Sequence, residues 1–397
     1  MRERRFGLAV ATFTVLAAAL AASRGAAADE VKVGVIASLS GPYADLGRRY
    51  QQAVDLFMEQ HHGEAGGHAV KIIYRDVGGN NPQRAKQLAQ ELIVRDGVQY
   101  LAGLEFTPTV LAVAGVISEA KVPFVIFNSG TSSVMTKSPY YVRVGYTLWE
   151  MAPVAARYAI AHGMKTAIII AADYAPGHDA IDAYSQVFTE NGGRIVDVIK
   201  VPLDTNDLSS YLQRIQDDKA DVLFTFMPGG PMTINLIKGY LGRGLGKAGL
   251  RFFGSSETDE PTLPAIGDAS LGIMTALDYG TYLDNPANRR FVAAYQAKYG
   301  RDAIPNGVSV FAYDGMQVVF HMIEATDGRK DGAKAIASVR GFSWESPRGP
   351  VSIDPRTRDI VQNFYIRTVV KVDGHYENKA IFTYPAVKDL WEERHPE

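Results

Sequence analysis

Two runs of hydroxyl side chains carry the residue types best suited to chemistry in this chain. Thr107 and Thr109 form one, and Ser129, Thr131, Ser132 and Ser133 the other. Each follows a short apolar run, Tyr100–Gly103 or Phe124–Phe127, of the length of a buried strand. If those strands are neighbours, the two runs stand side by side at one sheet edge. Hydroxyl donors beside helix N-termini trap a carboxylate without an arginine, using hydrogen bonds and helix dipoles. The same residue types are favoured helix N-caps, so capping and ligand capture are both open on sequence alone. Tyr43, Phe106 and Tyr174 fall in loops of the same kind and would wall the apolar body of a small hydrophobic anion.

No reaction is written into the remaining motifs. Gly244–Gly249 matches the GxGxxG spacing, but it follows a helical stretch and precedes a strand, the reverse of the order a dinucleotide needs. Lys247 is followed by Ala248, which rules out a P-loop, and no GxSxG elbow is present. His61, His62 and His68 surround a glycine-rich turn without metal-ligand spacing. The acidic pairs Asp217-Asp218 and Asp259-Glu260 read as solvated ends. The chain has no cysteine, which excludes thiol nucleophiles, cysteine-ligated zinc, iron–sulfur clusters and disulfides. No catalytic residue, metal or cofactor is expected.

The elements that must position the hydroxyl loops alternate regularly. Val31–Ala37 reads as a buried strand, and Asp45–Gln60 as an amphipathic helix carrying Tyr50, Val54 and Phe57 on one face. Strands at 70–74, 100–103 and 124–127 then alternate with helices at 82–95 and 110–120. A second series runs from about residue 149, with helices at 149–162, 179–191, 208–217 and 233–241 and strands at 166–171, 195–201, 222–226 and 251–253. Helices at 288–299 and 308–325, then apolar alternation at 351–353 and 364–372, complete the chain. Such βα repeats predict an α/β protein of two doubly wound parallel-sheet lobes with a ligand cleft between them. In open α/β sheets the ligand lies outside the carboxyl ends of the strands, which directs attention to the loops already named.

Composition is that of a folded globular protein. The 397 residues are 47% hydrophobic and 21% charged, the profile of a globular chain of about two domains. Arg2, Arg4 and Arg5, the apolar run Leu8–Ala22 and Ala26–Ala28 predict a signal peptide cleaved after Ala28. Residue 29 is Asp, so lipid attachment at a cysteine is not expected, and the product would be periplasmic and unanchored. Removing 28 residues leaves 37 bases against 42 acids, which argues against a nucleic-acid partner.

Over residues 29–397 the sequence resembles the periplasmic substrate-binding proteins of branched-chain amino-acid ABC importers, the leucine/isoleucine/valine-binding type. The resemblance rests on VGVIASLSGP at Val33–Pro42, DGVQYLAG at Asp96–Gly103, VPFVI at Val122–Ile126, DYAPG at Asp173–Gly177 and AYDG at Ala312–Gly315, in that order. It implies the type I periplasmic binding fold. Lobe 1 would comprise residues 29–145 and 278–354, lobe 2 residues 146–277 and 355–397, with crossings near 145, 277 and 354. It also implies that Thr107, Ser129 and Thr131 hold a ligand carboxylate and that an acid near Ser256–Glu257 pairs with its ammonium. Pro176 stands where the family has a tyrosine, with Tyr174 as substitute, and DYAPGHD at Asp173–Asp179 is similar to members associated with benzoate-like acids. The expected ligand is a branched-chain or related amino acid, with an aromatic acid as the alternative. The expected partner is an ABC permease, a sensor role being the rival, and the carrier is expected to be a monomer.

Overall fold

The computed structural model describes residues 30–228 and 231–396. The expected signal peptide lies outside them. The first sheet contains β1 (Val31–Ala37), β2 (Glu64–Ala65), β3 (His68–Asp76), β4 (Tyr100–Gly103), β5 (Phe124–Ile126) and β6 (Tyr141–Arg143), in the order β2-β3-β1-β4-β5-β6. All neighbours are parallel except β2, which makes a small antiparallel hairpin with β3. The second sheet contains the parallel strands β7 (Thr166–Ala172), β8 (Arg194–Val201), β9 (Val222–Phe226), β10 (Arg251–Gly254) and β11 (Met274–Leu277), ordered β8-β7-β9-β10-β11. Four antiparallel strands extend it: β12 (Ser343–Ser346), β13 (Gly349–Ile353), β14 (Ile360–Val372) and β15 (His375–Val387), with β14 joined to β11.

The central strands are short runs of valine, isoleucine and alanine because helices cover both of their faces and neither face meets water. β7, for example, is buried from Ala167 to Ala172. Helices Ala44–Gln60, Pro82–Gln90 and Thr107–Ala120 serve the first sheet, and Leu148–Ala161, Ala175–Glu190, Ser209–Asp217 and Pro231–Gly242 serve the second. The later helix Gly307–Thr326 returns to the first lobe and packs on Ala44–Gln60, where Phe57 and Phe320 meet edge to face at 4.9 Å.

Several elements differ from the sequence expectation. The helices expected from Val110 and Asp179 begin at Thr107 and Ala175, each with proline in its first turn. Their first turns face the cleft between the lobes instead of a core, so they carry no apolar periodicity. The expected helix 82–95 is α-helical to Gln90 and finishes in a wider π turn over Glu91–Arg95. Residues 343–353, grouped by the sequence with the first lobe, pair through β14 with the second sheet. That hairpin straddles the lobes, since Trp344 Nε1 and Ser346 Oγ donate to Asp314 in the helix Gly307–Thr326, at 2.9 and 2.7 Å.

Where the chain passes between lobes it is tied by Arg348, whose side chain is fully buried. Its guanidinium donates to Asp278 Oδ2 at 2.8 Å, Asp314 Oδ2 at 2.9 Å, Gln362 Oε1 at 2.7 Å and the Val144 carbonyl at 2.7 Å. These partners come from the segment after β6, the segment after β11, β14 and a first-lobe helix. Removing one partner of a buried ion pair leaves the other charged and dry, at a cost of about 3–5 kcal/mol. Arg348→Met is therefore expected to lower the urea unfolding free energy by about that amount, whereas Arg356→Ala, which breaks an exposed pair with Glu392, costs under about 1 kcal/mol.

Candidate functional site

In each sheet the strand order reverses direction once, between β1 and β4 in the first and between β7 and β9 in the second. At such a point the flanking helices leave on opposite faces and the strand ends open into a crevice. The two crevices face one another, and a cavity of about 370 Å³ lies between them. From the first lobe Pro42, Tyr43, Phe106 and Thr107 line it; from the second, Tyr174, Pro176, Phe226 and Pro228; and near the crossings Tyr146, Leu277 and Phe311. Tyr43 and Phe106 meet edge to face with centroids 4.7 Å apart, and Tyr174 lies nearly parallel to Phe226 at 6.2 Å. Each lobe thus presents an aromatic pair.

The hydroxyl residues gather at the first-lobe wall. Thr107 Oγ1 lies 3.0 Å from Ser129 Oγ and 3.1 Å from Thr131 Oγ1, and all three side chains are buried. Thr107, Asn128 and Gly130 border the cavity, and Ser129 and Thr131 stand behind Thr107. Ser129 has φ of 110°, a conformation that favours glycine. Buried Arg143, at the end of β6, holds it there: Nη1 donates to the carbonyls of Ser129 (2.7 Å) and Thr131 (2.6 Å), while Nε pairs with Asp359 Oδ1 at 2.7 Å. Gly130 leaves room for Leu148, whose Cδ2 would stand 2.3 Å from a Cβ at this position and would have to shift to admit one. The two readings of the hydroxyl runs divide between residues. Thr109 Oγ1 serves its own helix by donating to the Phe106 carbonyl at 2.7 Å, and Ser132 bonds across to Asp179 and Asp389 on the second-lobe side.

Glu257, expected at the cleft, does not line it. Its Oε1 accepts from Thr225 Oγ1 (2.8 Å) and the Met227 amide (3.2 Å), and its Oε2 from the amide and hydroxyl of Ser255. The carboxyl is turned into the second sheet, joining the ends of β9 and β10, and burial pushes its pKa up. The acid that reaches the cavity from this loop is Asp259, 9% exposed, with Glu260 2% exposed beside it. The expectation that this pair is solvated is corrected: the loop folds inward because Arg367 is buried beneath it, donating to the carbonyls of Ser255 (3.2 Å) and Tyr279 (2.5 Å). Arg367 Nη1 lies 3.6 Å from Asp259 Oδ1, yet burial still raises the Asp259 pKa.

Three further charged residues, Asp45, Arg49 and Glu105, line the cavity and escaped the sequence reading. Arg49 pairs with Asp45 at 2.8 Å and donates to the Ile304 carbonyl at 3.0 Å. Glu105, 5% exposed, follows β4 directly, and burial lifts its pKa to about 7 against the opposing bonds from Ser38. A lone acid inside the apolar run Leu101–Phe106 was the available signal, since a buried carboxyl in such a setting needs a partner. Among the described residues there is no group of three or more metal-ligating side chains, and no helix is long and apolar enough to cross a membrane.

Comparison with known proteins identifies the family and the fold. The family described as periplasmic binding protein matches residues 30–375. The Leu/Ile/Val-binding protein homolog 6 of Brucella melitensis is 46% identical over 373 residues, 94% of this chain and 96% of that one. The solute-binding protein of an ABC transporter from Rhodopseudomonas palustris HaA2, solved in complex with p-hydroxybenzoic acid, has a TM-score of 0.90 at 44% identity, covering 92% of this chain and 100% of that one. Its counterpart from Rhodopseudomonas palustris BisB5, in complex with 3,4-dihydroxybenzoic acid, has a TM-score of 0.87 at 40% identity, covering 91% and 99%.

The bonding of Glu257 changes what its substitution should do. Glu257→Gln sets an amide NH2 against donors that need an acceptor, so unfolding in urea is expected at about 1–3 kcal/mol lower stability. Ligand affinity should fall alike for amino acids and aromatic acids; loss confined to amino acids would contradict a role inside the lobe.

Proposed function

The chain belongs to the periplasmic binding protein family, and on that premise we propose that this ABC-transporter solute-binding protein captures a small aromatic carboxylate of the hydroxybenzoate kind. The observation that carries the proposal is the pairing of one neutral hydroxyl cluster, Thr107 backed by Ser129 and Thr131, with aromatic pairs on both lobes. Neutral donors at a helix start suit one carboxylate. A flat ring fits between aromatic side chains in offset or edge-to-face contact, worth about 0.5–1.5 kcal/mol per pair beyond area burial. The cavity, about 370 Å³, falls in the ordinary range for small ligands. Both Rhodopseudomonas palustris proteins were solved with ligands of this class.

Binding does not require turnover in this reading. Ligand bridging the two lobes stabilises the closed form, and that form is what a membrane permease recognises. Export with cleavage after Ala28 and a free, monomeric life in the periplasm complete the proposal.

A branched-chain amino acid is the second reading, favoured by Asp259. Its Oδ1 is buried without a hydrogen-bond partner and the residue lines the cavity, so it offers an ammonium group the counter-charge that Glu257 does not. The name of the Brucella melitensis relative points the same way.

A thermal-shift series with 4-hydroxybenzoate, benzoate and leucine separates the two. A ligand that binds only the folded state adds about 2.7 kcal/mol of stability at 100 times its Kd. 4-Hydroxybenzoate is expected to raise the midpoint and leucine to leave it unmoved; the reverse establishes the amino-acid reading, and Asp259→Asn should then abolish the leucine shift. Thr107→Val, which keeps shape and removes the hydroxyl, is expected to weaken either ligand by about tenfold or more, the worth of a hydrogen bond to a charged group.

A further inference from the structure

Glu105 is an acid that a cavity for a carboxylate and an apolar body does not need. It lines the first-lobe wall together with Pro42, Tyr43, Leu46 and Phe106, and the cation on this wall, Arg49, is engaged elsewhere, with Asp45 and the Ile304 carbonyl. Besides its own amide, one residue supplies its hydrogen bonds: Ser38 donates its amide to Oε1 at 2.8 Å and its hydroxyl to Oε2 at 3.2 Å. A carboxylate accepts about four hydrogen bonds, so acceptor capacity remains on both oxygens. The group cannot easily turn away, because Ser38 is itself clamped. Its carbonyl lies so close to the helix Ala44–Gln60 that a Cβ on Gly47 would come within 2.1 Å of it. The charge that acts on Glu105 does not relieve it either: Asp76 is of the same sign.

An occupant of the cavity therefore meets a fixed, under-satisfied acceptor. A second anion there is repelled, an apolar group seals the carboxyl away from water without a partner, and a neutral donor completes its hydrogen bonding. With the ligand carboxylate held at Thr107, the group opposite Glu105 must be such a donor. We propose that Glu105 is a specificity-determining residue that accepts a hydrogen bond from a ring hydroxyl, so that the cleft selects hydroxylated aromatic carboxylates over the unsubstituted acid. This rests on the aromatic-acid reading above and names the member of that class. Sites built to bond a hydroxyl reject analogues lacking it more strongly than apolar pockets reject a missing methylene. One charge-assisted bond of this kind corresponds to about 10- to 100-fold in affinity.

The test is calorimetric titration of the purified protein, Glu105→Leu and Glu105→Gln with 4-hydroxybenzoate and with benzoate. The unaltered protein is expected to prefer 4-hydroxybenzoate by about 10- to 100-fold. Glu105→Leu should erase the preference by weakening 4-hydroxybenzoate, with benzoate unchanged or tighter. Glu105→Gln keeps an acceptor for the Ser38 amide and should retain a preference reduced several-fold; if the leucine variant shows no cooperative melt, this variant decides, and an unchanged preference overturns the proposal. Equal affinity of the unaltered protein for the two acids overturns the Glu105 role while leaving the aromatic-acid reading intact, as does a parallel loss of both ligands in Glu105→Leu. Binding of neither acid overturns both.

Discussion

Three guanidinium groups shut away from water set the geometry on which the cleft depends. Arg143, Arg348 and Arg367 are each buried at a place where the chain leaves one lobe or shapes a cleft loop. A charge in so dry a setting is tolerable only when carboxylates and carbonyls surround it closely. Satisfying that requirement pins segments remote in sequence: Ser129 and Thr131 to Asp359 through Arg143, Val144 to Asp278, Asp314 and Gln362 through Arg348, and Ser255 to Tyr279 through Arg367. The loops that face the ligand inherit their shape from these ties more than from their own conformational preferences, as the positive φ of Ser129 shows.

The acids around the cleft have separate functions despite similar surroundings. Glu257 spends its oxygens on the second lobe's own amides and hydroxyls, and so behaves as part of the scaffold. Asp259 and Glu105 face the cavity from opposite lobes, and in both burial raises the carboxyl's pKa above its ordinary value. What distinguishes them is the company they keep: an arginine stands behind Asp259, whereas Glu105 has only a serine. An ammonium and a phenolic hydroxyl would accordingly find different ends of the same cavity congenial.

Most of the architecture was legible because its cause is local. Strands buried on both faces must be runs of apolar residues, and β1, β4 and β9 lie where such runs predict. The placement of Tyr43, Phe106, Thr107 and Tyr174 at the cavity followed from their position after strands, independent of any contact. What escaped the sequence depends on tertiary neighbours. β6 holds only Tyr141–Arg143, too short a run to stand out in the sequence, and its arginine is buried. The inward fold of Asp259 and Glu260 is caused by Arg367, more than a hundred positions away. The choice between Glu257 and Asp259 is likewise a matter of which side chain turns toward Thr225 and Ser255, and spacing alone does not encode that turn.

The loop after β5 bonds to both lobes. Ser132 follows Thr131 directly, and its amide and hydroxyl reach Asp179 and Asp389, which belong to the second-lobe side. The hydroxyl residues at the cavity wall and the residue that bonds to the opposite lobe are thus consecutive, under one arginine clamp. Adjacent residues tie this wall to Arg143 on one side and to the second-lobe aspartates on the other, so a displacement of the loop is felt by both lobes at once.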